Sequence, residues 1–129
     1  EHHIEARKDN VIDDRDTKTG RMDLDKYYQL PEDMPSAFVC NCDLAASYLI
    51  RKLRANGYRV PEDISVVGFD NYLFPGLCDI GITTYEVNIG EMARRVVHKI
   101  VRKIANENYT AGVFIVDGHM VIKDSVTRK

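Results

Sequence analysis

Apolar positions are sparse in the first third of the chain and dense after it. Ala37-Phe38-Val39-Cys40 is an unbroken apolar run following Pro35, the pattern of a strand buried on both faces. Asp43 stands where a helix N-cap belongs, its carboxylate suited to the orphan amides of a first turn. Leu44, Ala45, Tyr48, Leu49 and Leu53 follow at helical spacing, with Arg51, Lys52 and Arg54 in the last turn, where the helix dipole favours cations. Gly57 supplies a left-handed stop. After a turn at Pro61-Glu62-Asp63, Ile64 to Phe69 reads as a second buried strand. Strand, helix and strand within about thirty-four residues have the size of a right-handed parallel βαβ unit.

Beyond Asp70-Asn71, a turn-rich stretch holding Pro75, Gly76 and Gly81 leads to a short extended piece, Ile82 to Tyr85. Asn88 with Glu91 three residues later has the form of a capping box. Ile89, Met92, Ala93, Val96, Val97, Ile100, Val101 and Ile104 then make one apolar stripe, which predicts a long helix. Gly112 to Val116 and Met120 to Ile122 read as two short strands, and Asp117-Gly118 between them is a hairpin signal. Upstream, Val11-Ile12 begins a short strand that Gly20 ends, and Leu24, Tyr27, Tyr28 and Leu30 form a weakly amphipathic stretch. The opening Glu1-His2-His3-Ile4 has the look of the end of a helix begun outside the chain.

Charge sharpens the division. Residues 1–35 carry ten acidic and six basic side chains, and the remaining 94 carry ten acidic and twelve basic. The expected organisation is a polar lead-in at 1–35 and a folded unit at 36–129 whose apolar core begins at Ser36. With 129 residues, 44% hydrophobic and 29% charged, the chain has the composition of one globular domain or part of one. A formal charge of −2 argues against wholesale nucleic-acid binding. No apolar run approaches a membrane span and no secretory signal opens the chain. Three cysteines are too few for a disulfide scaffold. A cytoplasmic protein with reduced thiols is expected.

Open parallel sheets bind ligands beyond the carboxyl ends of their strands. Asp43 follows the first strand and Asp70 the second, so neighbouring strands place Cys42, Asp43, Asp70 and Asn71 on one rim. Carboxylates and amides suit a polyhydroxylated ligand, since they accept from and donate to hydroxyls. The same residues also serve as plain caps and turn formers. Cys40-Asn41-Cys42 lacks zinc-knuckle spacing, and Cys40 and Cys78 fit plain packing. His2-His3 at a chain end and the basic side of the long helix (Arg94, Arg95, His98, Lys99, Arg102, Lys103) fit solvated surface. No Walker loop, GxGxxG, GxSxG or HExxH occurs, which removes the commonest nucleotide and hydrolase signals. No enzyme, metal or cofactor is expected.

The string Pro61-Glu62-Asp63-Ile64-Ser65-Val66-Val67-Gly68-Phe69-Asp70-Asn71 resembles the most recognisable segment of the lactose/galactose-repressor (LacI/GalR) regulators. Ser36 to Ala46, Ile82-Thr83-Thr84 with Glu91-Met92-Ala93, and Val121 to Ser125 with Thr127 agree in order and spacing. The likeness runs from about Pro35 to the end and is weaker before it. It implies an α/β fold, a parallel sheet flanked by helices, forming the C-terminal portion of a periplasmic-binding-protein-like effector domain. It further implies a homodimer, a small-molecule effector such as a sugar, and operator DNA bound only through an N-terminal helix-turn-helix that these residues do not include. By that resemblance Asp70 matches the acid that holds ligand hydroxyls, and Asp43 matches the acid beside a ligand-contacting Asn whose place Cys42 takes. Leu44, Tyr48, Leu73, Phe74 and Leu77 match surfaces that face the dimer partner.

Two other readings share the pattern. A solute-binding protein of the same fold would carry a signal peptide. A small α/β enzyme would pair Cys42 or Cys78 with His98 or His119, and its thiol would need a depressed pKa.

Overall fold

In a computed structural model, residues 11–21, 23, 26, 28–72 and 76–128 are described. Among the described residues six elements follow one another: β1 (Ala37–Val39), α1 (Asp43–Ala55), β2 (Ser65–Asp70), β3 (Thr83–Val87), α2 (Ile89–Ala105) and β4 (Gly118–Val121). They form one four-stranded sheet in the order β1-β2-β3-β4. The first two pairings are parallel, with Phe38 opposite Val66 and Phe69 opposite Tyr85. The third is antiparallel, with Tyr85 opposite Met120. The βαβ unit expected from the apolar runs is present, and the sheet as a whole is mixed.

The core follows from the period of α1. Ala45, Leu49 and Leu53, with Ala46 and Ile50, fall on one stripe and are buried against Phe38, Val66 and Ile82 of the sheet layer. Full burial of a leucine or isoleucine stabilises by roughly 1.5–3 kcal/mol. Leu44 and Tyr48 lie on the opposite side and are exposed. The helix ends as its glycine dictates. Gly57 takes φ +86°, its amide bonds to Arg54 O, and the Tyr58 amide reaches Leu53 O at 3.0 Å, the double bond of a Schellman stop.

Four local expectations are corrected. First, β1 is buried on one face only: Phe38 is inside while Val39 is 84% exposed, because α1 covers a single face of the sheet. Second, the N-cap of α1 is Cys42, whose sulfur accepts from the Ala45 amide at 3.4 Å; Asp43 is the first helical residue.

Third, the 112–116 strand and its hairpin do not form. Gly118 lacks the positive φ that the tight hairpin turn requires. It lies instead against β3, where a Cβ would meet Glu86 O at 2.2 Å, and its amide donates to the Tyr85 hydroxyl. Fourth, Val11 and Ile12 make no strand. The chain turns at Asp16, where the Gly20 amide bonds to Asp16 O.

The lead-in also contributes more to the core than its composition suggests. Tyr28 is buried and its hydroxyl donates to Ala45 O at 3.3 Å, while Ile12, Leu30 and Met34 pack against the core from outside. Leu24 and Tyr27 of the expected amphipathic stretch, and the opening Glu1 to Ile4, lie outside the described residues. The predicted long helix is present as α2, begun by Asn88, whose Oδ1 accepts from the Glu91 amide at 2.9 Å. None of its residues is buried against the rest of the described chain.

The last segment stitches the sheet. Ser125 is fully buried; its hydroxyl donates to Val66 O at 2.5 Å and accepts from the Thr83 amide at 2.8 Å. The Val66 amide in turn bonds to Ser125 O. Thr83 Oγ1 accepts from the Lys123 amide, and Asp124 and Ser125 bond to Gly81 O.

Candidate functional site

Parallel neighbours bring the carboxyl ends of β1, β2 and β3 to one edge, and there the chain leaves the sheet through unusual backbone. Asp70 and Asn71 both take positive φ, +93° and +50°, a region that non-glycine residues enter at a cost and that Asn and Asp enter most readily. Side-chain bonds hold them there. Asp70 Oδ1 accepts from the Tyr72 amide at 3.0 Å. The Asn71 amide donates to Thr84 Oγ1, its Nδ2 donates to Glu86 Oε2, and its Oδ1 accepts from Lys123 Nζ at 2.7 Å. Asn71 thereby links β2, β3 and the segment after β4.

A cavity of about 610 Å³ opens at this edge. Asp70 and Asn71 line it together with Glu86, Asn88, Asp117 and His119, so the end of β3, the start of α2 and the start of β4 all contribute. The volume fits a small-molecule site. Strain concentrated beside a cavity is a recurrent mark of ligand-binding positions.

Of the four rim residues expected from sequence, Asp70 and Asn71 share this cavity. Cys42 and Asp43 do not line it. Cys42 is half-buried with its sulfur committed to the α1 cap. Asp43 lies behind the rim, 1% exposed, with neither carboxylate oxygen in a hydrogen bond. Burial pushes its carboxyl above the usual range and the negative charge of Asp70 adds to this, while the positive charge of Lys123 offsets part of it.

Glu86 and Lys123 carried no motif signal, and Asp117 stood out only in a hairpin signal; the register of β3 and the approach to β4 bring them to the edge. His119 stood out in the sequence only as a candidate base for a thiol. Among the described residues, Cys40 is buried and its thiol is pushed up to about 12, chiefly by desolvation, the opposite of an activated nucleophile. No group of His, Cys, Asp and Glu among the described residues is arranged to hold a metal ion. No helix among them is long and apolar enough to cross a membrane.

Of the expected dimer residues, Leu44, Tyr48 and Leu77 are exposed, and Leu73 and Phe74 lie outside the described residues.

Comparison with known proteins agrees with this architecture. The family model of the periplasmic binding protein-like domain matches residues 1–126. The regulator of the NTD biosynthesis operon, NtdR of Bacillus subtilis, is 32% identical over 73% of this chain and 29% of its own length. The crystal structure of a LacI-type transcription regulator from Bifidobacterium animalis subsp. lactis superimposes with a TM-score of 0.66 at 30% identity, covering 73% of this chain and 34% of that one. The structure of the transcriptional regulator CelR in complex with cellobiose gives a TM-score of 0.64 at 28% identity, over 70% of this chain and 28% of that one. The chain thus spans about a third of the length of the relatives it matches. With a family model spanning nearly the whole chain and LacI-type regulators among its relatives in both sequence and fold, the chain belongs to the periplasmic-binding-protein-like family, as a LacI/GalR effector domain.

Proposed function

We propose that this chain is the effector-binding and dimerising part of a LacI/GalR-type transcriptional regulator, and that its effector is a small polyhydroxylated molecule such as a sugar. The cavity at the carboxyl edge of the sheet, with Asp70 and Asn71 held in left-handed backbone on its wall, carries this reading. Asp70 keeps one carboxylate oxygen outside its own turn and is placed to accept from ligand hydroxyls. Asn71 acts mainly by fixing the rim, since its amide group already joins Glu86 and Lys123. Asp43 and Cys42 support that rim from behind, through the start of α1.

The cellobiose complex of the related CelR supports a sugar-class effector. Relatives named as regulators support a role in transcription rather than catalysis. Operator DNA would be reached through a domain outside these residues, in the cytoplasm. Ligand binding would then shift operator affinity by coupling two separate sites. Leu44, Tyr48 and Leu77 form the described part of the proposed homodimer face, and the uncovered stripe of α2 suits docking of the remainder of such a domain.

The test is a thermal-shift screen of this chain and Asp70→Asn against mono- and disaccharides. Asn tolerates the left-handed backbone, so the variant removes charge with little strain. A sugar at a hundred times its dissociation constant adds about 2.7 kcal/mol, a shift of several degrees, and the shift is expected to be lost in the variant. Equal binding by both forms removes Asp70 from the site.

A further inference from the structure

The charge around the cavity narrows the class of effector; this inference rests on the effector-site reading above. Asp70, Glu86 and Asp117 line the cavity, and neither lysine nor arginine is among its walls as far as the described residues form them. A fourth carboxylate, Asp43, lies buried behind Asp70 with no hydrogen-bond partner on either oxygen. Lys123 is the cation nearest the rim network, and its ammonium sits on the neutral Asn71 Oδ1 rather than on a carboxylate. The start of α2 also faces the cavity through Asn88, Ile89 and Gly90, contributing about half a positive charge. Asn88 spends its side chain on the Glu91 amide. The carboxylates therefore outweigh the positive groups, and an anionic ligand such as a sugar phosphate would be repelled.

We infer that the effector is a hydroxylated amine, an amino sugar or a similar amino polyol, whose ammonium group is held by Asp70, Glu86 and Asp117. Its hydroxyls meet His119 and the free amides at the start of α2. A charge-assisted contact to a carboxylate is about twice as strong as a neutral one, so the ammonium group dominates both affinity and selectivity. Among the described residues the lining carboxylates bond to neutral donors, Glu86 accepting from Asn71 and Asp70 from the Tyr72 amide, while the charge of Lys123 is held at Asn71 Oδ1.

The experiment is calorimetric titration of this chain with four probes at about pH 6.5, below the range of α-amino groups. Glucosamine carries the charge, N-acetylglucosamine has the same ring without it, glucose is neutral and glucose 6-phosphate is anionic. Glucosamine is expected to bind at least about tenfold more tightly than the other three. The preference is expected to shrink in 1 M salt, which shortens the reach of exposed charges to about 3 Å. It is also expected to fall in Glu86→Gln and in Asp117→Asn, with circular dichroism confirming that each variant is folded. Equal or tighter binding of glucose or N-acetylglucosamine overturns the charge preference and leaves the effector site standing. Tightest binding of glucose 6-phosphate overturns it in favour of the α2 N-terminus as the dominant group. Absence of binding by all four removes the site together with its preference.

Discussion

The carboxylate of Asp43 rests on the backbone of Gly68: a methyl group added at Gly68 would stand 2.1 Å from Asp43 Oδ1 and 3.2 Å from Ile82 Cγ2. Gly68 is thus required by close approach and not by its backbone angles. Gly68→Ala is expected to destabilise the chain by about 1–3 kcal/mol, the usual cost of overpacking, read from the urea midpoint at unchanged slope. In an Asp43→Ala background the same change should cost clearly less. Equal costs in the two backgrounds would show that the contact is absent.

Asp43 also predicts a pH dependence. Its carboxyl is raised from 3.8, first by burial and second by the charge of Asp70. A group raised on folding contributes stability that is present below its unfolded value and lost as pH rises through its folded value. Asp43→Asn cannot ionise, so the variant should gain on the wild type as pH climbs from about 4 to 8. Melting temperatures of both forms across that range measure the difference. A constant offset at every pH would refute an elevated Asp43.

Ser125 joins β2 to β3 through one buried hydroxyl that both donates and accepts. Ser125→Ala strands the Thr83 amide and leaves Val66 O with one bond fewer, both in the interior. Leaving such groups unpaired costs about 1–3 kcal/mol each, so a loss of roughly 2–6 kcal/mol is expected in urea unfolding. Ser125→Gly should behave alike, while Ser125→Thr should recover part of the loss. A loss under about 0.5 kcal/mol would mean that water replaces the hydroxyl.

Thiol labelling tests the burial of Cys40 in the core. Cys40 is buried and its thiol is raised to about 12, so native labelling at neutral pH should be orders of magnitude slower than in urea. Rapid native reaction of Cys40 would contradict the burial seen here.

What the sequence made legible was local and periodic. The Ala37–Cys40 run, the Leu49/Leu53 stripe and Gly57 each reflect a physical preference that acts within a few residues, and each element formed, with β1 buried on one face only. The carboxyl-edge position of Asp70 and Asn71 followed from the order of those elements. Choices settled by distant partners were not legible. Cys42 caps α1 while Asp43 lies against Gly68, twenty-five residues away. Asp117-Gly118 has the composition of a hairpin, yet Gly118 serves a close contact with β3. Glu86 and Lys123 reach Asn71 only through the register of β3 with β2 and the return of the chain after β4.

The stitch made by Ser125 sets an order of events during synthesis. A ribosome delivers β1, α1 and β2 first, and these can begin to collapse as a local unit. The amide of Val66 and that of Thr83, however, find their partners 59 and 42 residues further along. Until residue 125 has emerged, the Val66 and Thr83 amides at the centre of the sheet lack these partners. The nascent chain therefore passes the synthesis of those intervening residues with two interior amides unpaired, and it is this interval, rather than the finished fold, that chaperones would have to protect.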